Sequence, residues 1–131
     1  MIGKLRAIHA LINCAKYVSD VGDNWKTPAE LMAQGGDCED FAIAYWCALR
    51  NAGGRTRIAY LPGPAHMVCL HYDGPDPWVL DVLADDVYRL SDVGRAPVYE
   101  LGVRGAIPAC WVNGVSAPVP QKWADVYRRL P

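Results

Sequence analysis

No stretch of the sequence approaches the roughly 18 consecutive apolar residues that a membrane-spanning helix needs. No basic run occurs, no stripe of basic and aromatic residues is visible, and the formal net charge is −1, so nucleic acid is not an expected partner. There is no C-x-x-C pair. The five cysteines, Cys14, Cys38, Cys47, Cys69 and Cys110, are odd in number and irregularly spaced, which excludes the pattern of a disulfide framework or a zinc site. Residues 1–20 mix polar and apolar positions at helical spacing, without the apolar segment and cleavage site of a signal peptide. The chain as given is therefore expected in the cytoplasm. Neither an internal repeat nor a low-complexity tract is present.

What is there is 131 residues, 52% of them apolar, enough to build a core and most simply read as one domain over 1–131. Residues 4–19 carry Leu5, Ile8, Leu11, Ile12, Ala15 and Val18 at helical spacing. A polar connector of turn formers follows over 19–24. Thr27-Pro28-Ala29-Glu30 is a helix start, with a capping threonine, proline at the first helical position and Glu30 placed for a capping box. A broad apolar face, Phe41, Ala44, Tyr45, Trp46, Ala48 and Leu49, predicts a central, mostly buried helix over 38–51. Strands are expected over 57–61, 66–72, 78–83, 97–103 and 110–115, with a mixed stretch at 85–92. Trp123, Val126, Tyr127 and Leu130 mark a final amphipathic helix over 121–130. Helices first, then a run of antiparallel strands, is an α+β order.

The chemistry-bearing stretch is Gly35-Gly36-Asp37-Cys38-Glu39-Asp40-Phe41-Ala42. Two glycines run into a cysteine at the expected start of the central helix, with Asp37 as N-cap. Unpaired N–H groups at helix amino ends carry partial positive charge, which favours a thiolate nucleophile. Cys14, Cys47, Cys69 and Cys110 sit in apolar surroundings and read as small core residues. A thiol that attacks a carbonyl needs a base that takes its proton and returns it to the leaving amine, and histidine titrates in the right range. His66 begins an expected strand beside a loop, where a side chain can point into a cleft from a rigid support. His9 reads as a surface or structural residue. His71 has opposite strand parity from His66 and is expected to be exposed.

The third member is Asp81, an acid inside the apolar run Trp78-Val79-Leu80-Asp81-Val82-Leu83. Such an acid needs a partner: either an imidazole, whose tautomer it would fix, or backbone N–H groups. One geometric difficulty arises. A symmetric 73–77 loop sets Asp81 opposite Cys69 and His66 opposite residue 84, on different faces of the sheet. A triad therefore requires the register to shift by an odd number. Asp85 and Asp86 are fallback partners. The backbone N–H of Cys38 is a candidate oxyanion donor, with Trp25 or Gln34 as a second.

The acids beside Cys38 oppose a neighbouring thiolate. Asp37 and Glu39 offer oxygen ligands of the kind calcium takes, but two or three carboxylates do not fill its shell, so backbone carbonyls and water would have to contribute. The alternative is that these acids cap the helix and complement its dipole.

These residues resemble a known family. Asp23-Asn24-Trp25-Lys26-Thr27-Pro28-Ala29-Glu30-Leu31, then Gly35-Gly36-Asp37-Cys38-Glu39-Asp40-Phe41-Ala42, then His66-Met67-Val68 and Val79-Leu80-Asp81, are similar to the bacterial transglutaminase-like cysteine proteinases, the LapG-like group. The resemblance implies a papain-like, transglutaminase-like core with the cysteine on a central helix packed on an antiparallel sheet. It implies a Cys38, His66, Asp81 triad and calcium held by Asp37 and Glu39. It also implies a protein or peptide substrate; members cleave a large surface adhesin and are often periplasmic. Two positions depart from the group: Phe41 stands where members usually have tyrosine, and the segment after Asp81 is Val82-Leu83-Ala84-Asp85 instead of one containing asparagine. A compact chain of this kind also fits a phage or prophage protein or an intracellular peptidase.

Three functions are consistent with this reading. The first is a cysteine peptidase or amidase working through an acyl-enzyme. The second is a transglutaminase or deamidase acting on protein glutamine with the same thiol. The third is a non-catalytic binding or structural module that keeps the fold.

Overall fold

The computed structural model describes residues 1–19, 24–62 and 66–131; most of the expected 19–24 connector and the loop before His66 lie outside them. Among the described residues the elements run α1 (Ile2–Ile12), α2 (Pro28–Gln34), α3 (Cys38–Leu49), β1 (Arg55–Leu61), β2 (His66–Tyr72), β3 (Trp78–Leu80), β4 (Tyr88–Arg89), a short 3-10 turn (Leu90–Asp92), β5 (Tyr99–Arg104), β6 (Ile107–Val112), β7 (Val115–Ala117) and α4 (Gln121–Arg128). The strands form one antiparallel sheet in the order β4-β3-β2-β1-β5-β6-β7, and α3 packs on β1 and β2. The architecture is α+β, with the cysteine on a helix laid against the sheet. No described helix is long and apolar enough to cross a membrane.

The centre of the fold is α3. Its side chains from Asp40 to Trp46, and Leu49, are buried, and only Ala48 of the expected apolar face reaches solvent. Burying one large apolar side chain is worth about 1.5–3 kcal/mol, so this helix anchors the core. Below it, Ile58, Met67, Cys69, Leu80 and Leu101 contribute from the sheet. Ala59, Leu61, Val68, Leu70 and Val79 form a second cluster. Within β2 and β3, members of the two clusters alternate, as the two-residue period of a strand requires. At the end of the chain, α4 covers the far part of the core. Trp123 is fully buried, its ring edge-on to Trp46 at 5.2 Å, with Nε1 donating to the Gly102 carbonyl.

Several elements differ from the sequence expectation. The first helix ends at Ile12, not near residue 19. The chain beyond it is diverted to pair with the segment before Cys38: Gly36 N donates to Lys16 O and Val18 N to Gly36 O, at 3.0 and 2.8 Å. Cys14 is exposed, not a core residue, because the helix has ended before it. The expected 78–83 strand stops at Leu80, and a strand over Val115–Ala117 was not expected. Short polar edge strands such as β7 carry too little apolar alternation to stand out in sequence. The expected helix starts at Thr27 and Asp37 are observed, the first with a complete capping box.

Candidate active site

Two strand registers decide what meets what. In the β2–β3 pair, Cys69 stands opposite Leu80, Leu70 opposite Val79 and His71 opposite Trp78. This is one residue away from the symmetric register. His71, not Tyr72, faces Trp78, so the connection is asymmetric. Continued one step past β3, the same register sets Asp81 opposite Val68, on the same face of the sheet as His66. The odd shift that the triad required is present.

The contacts follow. His66 Nε2 lies 2.5 Å from Asp81 Oδ1, and both residues are over nine-tenths buried. This leaves Nδ1 as the ring nitrogen for another partner, and the Cys38 side chain is near enough to favour the charged form of the ring. Burial alone would lower the pKa of His66. The hydrogen bond that His66 donates to Asp81, the neighbouring Cys38 side chain and the charges of both outweigh it and raise the value to about 9. Burial likewise opposes ionisation of Asp81, but the hydrogen bond to His66, the Leu83 N–H, the charge on His66 and the Tyr88 hydroxyl hold its pKa below the usual carboxylate value. Asp81 thus realises both alternatives for a buried acid. Oδ1 also accepts from Leu83 N at 2.9 Å, and Oδ2 accepts from Tyr88 Oη at 2.9 Å.

Cys38 is the first residue of α3, where backbone N–H groups lack intrahelical acceptors. The turn leading into it is built around Asp40, which is 1% exposed. Its Oδ1 accepts from Lys26 N at 2.8 Å and its Oδ2 from Asp37 N at 3.1 Å. The carboxylate therefore ties the approach to α2 to the residue before the cysteine. Gly36 makes this possible: a Cβ there would lie 2.5 Å from Asp40 Oδ2 and 2.8 Å from Asp40 Cβ. Gly35 has φ +76°, and a Cβ there would lie 2.6 Å from Lys16 O. Both glycines of the motif are thus required by close approach, of the Lys16 carbonyl to Gly35 and of the Asp40 side chain to Gly36.

Other expected residues fall elsewhere. Asp86 pairs with Arg6 at 3.1 Å, and Asp85 is exposed, so neither fallback meets His66. Trp25 and Gln34 line a cleft of about 520 Å³ against Val126 and Arg129 of the α4 region. Trp25 is held there by its carbonyl, which accepts from Arg129 Nη2 at 2.7 Å. His71 is fully buried, contrary to expectation. Both faces of this part of the sheet are covered, so opposite parity from His66 does not mean exposure. Thr56 Oγ1 partners its Nδ1 at 2.9 Å, and burial lowers its pKa.

Several contributors had no sequence signal. His9 is buried, and its Nε2 lies 2.8 Å from the Asp81 carbonyl oxygen, so it braces the residue that holds His66. Tyr45, stacked with His9 at 5.8 Å, donates to Asn13 Oδ1, and Asn13 Nδ2 is 3.2 Å from His9 Nε2. Tyr17 stacks on Phe41 at 6.1 Å; burial and the nearby Cys38, Asp37, Glu39 and Asp81 raise its hydroxyl pKa. These residues are brought in by folding, from segments whose local pattern gives them no distinct role.

Two side-chain observations bear on calcium. Among the described residues no group of three or more His, Cys, Asp or Glu is arranged to hold a metal ion. Glu39 Oε2, however, is buried without a hydrogen-bond partner, an arrangement a cation would relieve.

No protein-family profile matches the sequence, and no curated protein matches it. Solved structures do. The chain is similar to LapG of Legionella pneumophila in three structures. The EGTA-treated form has TM-score 0.80 and 28% identity, covering 96% of this chain and 77% of that one. The calcium-bound form has TM-score 0.76 and 27% identity with the same coverage. A third LapG structure has TM-score 0.79 and 30% identity over 96% of this chain and 76% of that one. With the likeness running through nearly the whole chain, the protein belongs to the LapG-like family of bacterial transglutaminase-like cysteine proteinases.

Proposed function

We propose that the chain is a cysteine peptidase or amidase in which Cys38 is the nucleophile, His66 the acid–base and Asp81 the residue that orients and charges His66. The observation that carries this reading is the buried His66–Asp81 pair, with Nε2 on Asp81 at 2.5 Å and the Cys38 side chain near enough to act on the charge of the ring. Cys38 Sγ, its proton passed to His66, attacks the carbonyl carbon of a peptide or amide bond, forming a C–S bond as the C=O π bond opens to an oxyanion. The oxyanion is stabilised by N–H groups at the start of α3. Collapse of this intermediate breaks the C–N bond, and the proton held on His66 passes to the leaving nitrogen. Water then attacks the thioester, giving one proton to His66; the C–S bond breaks, a carboxylic acid leaves and loses its proton to solvent, and the Cys38 thiolate beside protonated His66 is restored.

Asp37 and Glu39 are the residues that would hold calcium, together with backbone carbonyls and water. The unpartnered Glu39 Oε2 and the calcium-bound LapG structure support this. Bound there, the ion would offset the carboxylate charge beside the nucleophile.

The test is hydrolysis of a protein substrate pool by the chain and by Cys38→Ala, with a labelled primary amine present. New termini with the parent chain, and none with Cys38→Ala, support hydrolysis. Amine incorporation dependent on Cys38 would replace hydrolysis with acyl transfer. Equal activity of the two proteins would sink the assignment.

A further inference from the structure

The oxyanion of an acyl transfer needs donors already aimed at it, about 2.7–3.1 Å from where the charge forms. N–H groups at the start of α3 supply one side. The second donors expected from sequence, Trp25 and Gln34, line the cleft towards Val126 and Arg129. Three tyrosine hydroxyls of the core and site are already committed: Tyr45 to Asn13, Tyr88 to Asp81, and Tyr99 to Met67 Sδ at 3.7 Å. Tyr17 differs. Its ring stacks on Phe41, and no acceptor takes its hydroxyl among the described residues.

The place of Tyr17 follows from where α1 stops. Because the helix ends at Ile12, the chain runs on beside the segment before Cys38. Tyr17 pairs with Gly36 in a parallel bridge, closed by Gly36 N to Lys16 O at 3.0 Å and Val18 N to Gly36 O at 2.8 Å. Its ring lies 6.1 Å from that of Phe41, with 26° between the planes. Cys38 and Phe41 are three residues apart on α3 and so share a face of the helix. Tyr17 is thus held by its backbone two residues before Cys38 and by its ring one turn after it. The side chain spans the interval in which the thiol lies. It is 44% exposed, so a substrate can reach it. Burial first, and then the charges of Cys38, Asp37, Glu39 and Asp81, raise its pKa. The phenol therefore stays protonated, a neutral donor among acids.

We propose that Tyr17 is a further catalytic residue, whose Oη donates a hydrogen bond to the oxyanion formed when Cys38 attacks a carbonyl. This rests on the proposed acyl-enzyme role of Cys38. It holds for hydrolysis and for acyl transfer alike, since both pass through that oxyanion. The hydroxyl keeps its proton throughout, and no bond to Tyr17 forms or breaks. In the resting site the donor has no acceptor among the described residues. In the tetrahedral intermediate it gains one that carries a full negative charge. An interaction that is stronger in the transition state than in the ground state is the kind that accelerates the step.

The experiment compares two reactions of Cys38 in the full chain, with calcium present. Alkylation by iodoacetamide forms no oxyanion. Acylation by p-nitrophenyl acetate does, and it releases nitrophenolate as a burst. Cys38→Ala gives the background from the exposed Cys14. Tyr17→Phe keeps a ring on Phe41 and removes the donor. Its rate of Cys38 acylation is expected to fall about 10²–10³-fold, the loss that follows removal of one oxyanion donor. Its alkylation rate and circular dichroism should match those of the parent. A burst equal in the parent and in Cys38→Ala would count against the acyl-enzyme reading and remove this inference with it. A Cys38-dependent burst unchanged by Tyr17→Phe would overturn the inference alone. So would a parallel fall in alkylation, which marks a structural role. A loss in Trp25→Phe without one in Tyr17→Phe would give the role to the indole and overturn it as well.

Discussion

Asp81 reaches His66 because β3 is paired to β2 one residue away from the symmetric register. Leu80 stands opposite Cys69, so the residue after the strand falls on the His66 face, and Oδ1 comes within 2.5 Å of Nε2. A one-residue slip would move Asp81 to the opposite face and dismantle the pair. An insertion in the 73–76 turn that restores the symmetric register is therefore expected to lower the His66 pKa from about 9 to its ordinary range, read by NMR titration of the imidazole.

Asp81→Asn should lower the same pKa and reduce turnover by roughly 10⁴-fold, the loss that follows when the orienting carboxylate of a catalytic triad is neutralised. Stability gives an independent reading. The His66 pKa is raised in the fold, so its contribution is complete below 6.5 and is lost as pH rises through about 9. The Asp81 pKa is lowered, so its contribution is present above 3.8 and is lost on further acidification. The stability gap between the parent chain and Asp81→Asn is thus expected to be widest between pH 3.8 and 6.5 and to narrow towards pH 9, measured by urea unfolding at stepped pH.

Tyr88→Phe removes one donor to Asp81 Oδ2 and leaves the ring packing unchanged. It should cost about 1.5–3 kcal/mol, since the acceptor is charged. His9→Ala withdraws the partner of the Asp81 carbonyl and opens a cavity beside Tyr45. It should cost more than Tyr88→Phe in unfolding free energy and should also lower turnover. Equal stability of the two variants would contradict the bracing role of His9.

Gly36→Ala tests how the cysteine turn is built. The added methyl would stand 2.5 Å from the carboxylate of a buried Asp40 that two backbone N–H groups hold in place. Overpacking of this kind costs about 1–3 kcal/mol. Asp40→Asn can present one acceptor but turns an amide N–H₂ towards the second donor, leaving Lys26 N or Asp37 N without a partner, at about 1–3 kcal/mol. Both variants should also slow alkylation of Cys38, which a purely global loss of stability would not do at temperatures where the chain stays folded.

Calcium is expected to raise the unfolding free energy by about 2.7 kcal/mol at one hundred times its dissociation constant. The effect should disappear with chelator and in Asp37→Asn and Glu39→Gln. An unchanged unfolding midpoint with millimolar calcium would remove the ion from the account.

The fold was legible where local chemistry is strong. Thr27-Pro28-Ala29-Glu30 announces α2, Asp37 announces α3, and the width of the apolar face on α3 announces its burial. Cys38, His66 and Asp81 stood out because each breaks the pattern of its surroundings. The register between His66 and Asp81 was legible only as a requirement, since strand pairing depends on how a loop closes in three dimensions. His9 and His71 were read from one element at a time. Their burial comes from what packs across them, a bond to the Asp81 carbonyl for one and to Thr56 for the other. Asp40 was visible as an acid in the first turn. Its role as a knot between Lys26 and Asp37 required the distance between those segments to be known.

The central claim is that Cys38 is a nucleophile activated by His66. Site-resolved alkylation by iodoacetamide at neutral pH, read by peptide mass spectrometry, measures it most directly, with the exposed Cys14 as the internal reference. Cys38 should react faster than Cys14 despite being half-buried, and His66→Ala should bring its rate to that of Cys14 or below. A Cys38 rate no greater than that of Cys14, or one untouched by His66→Ala, would contradict the account.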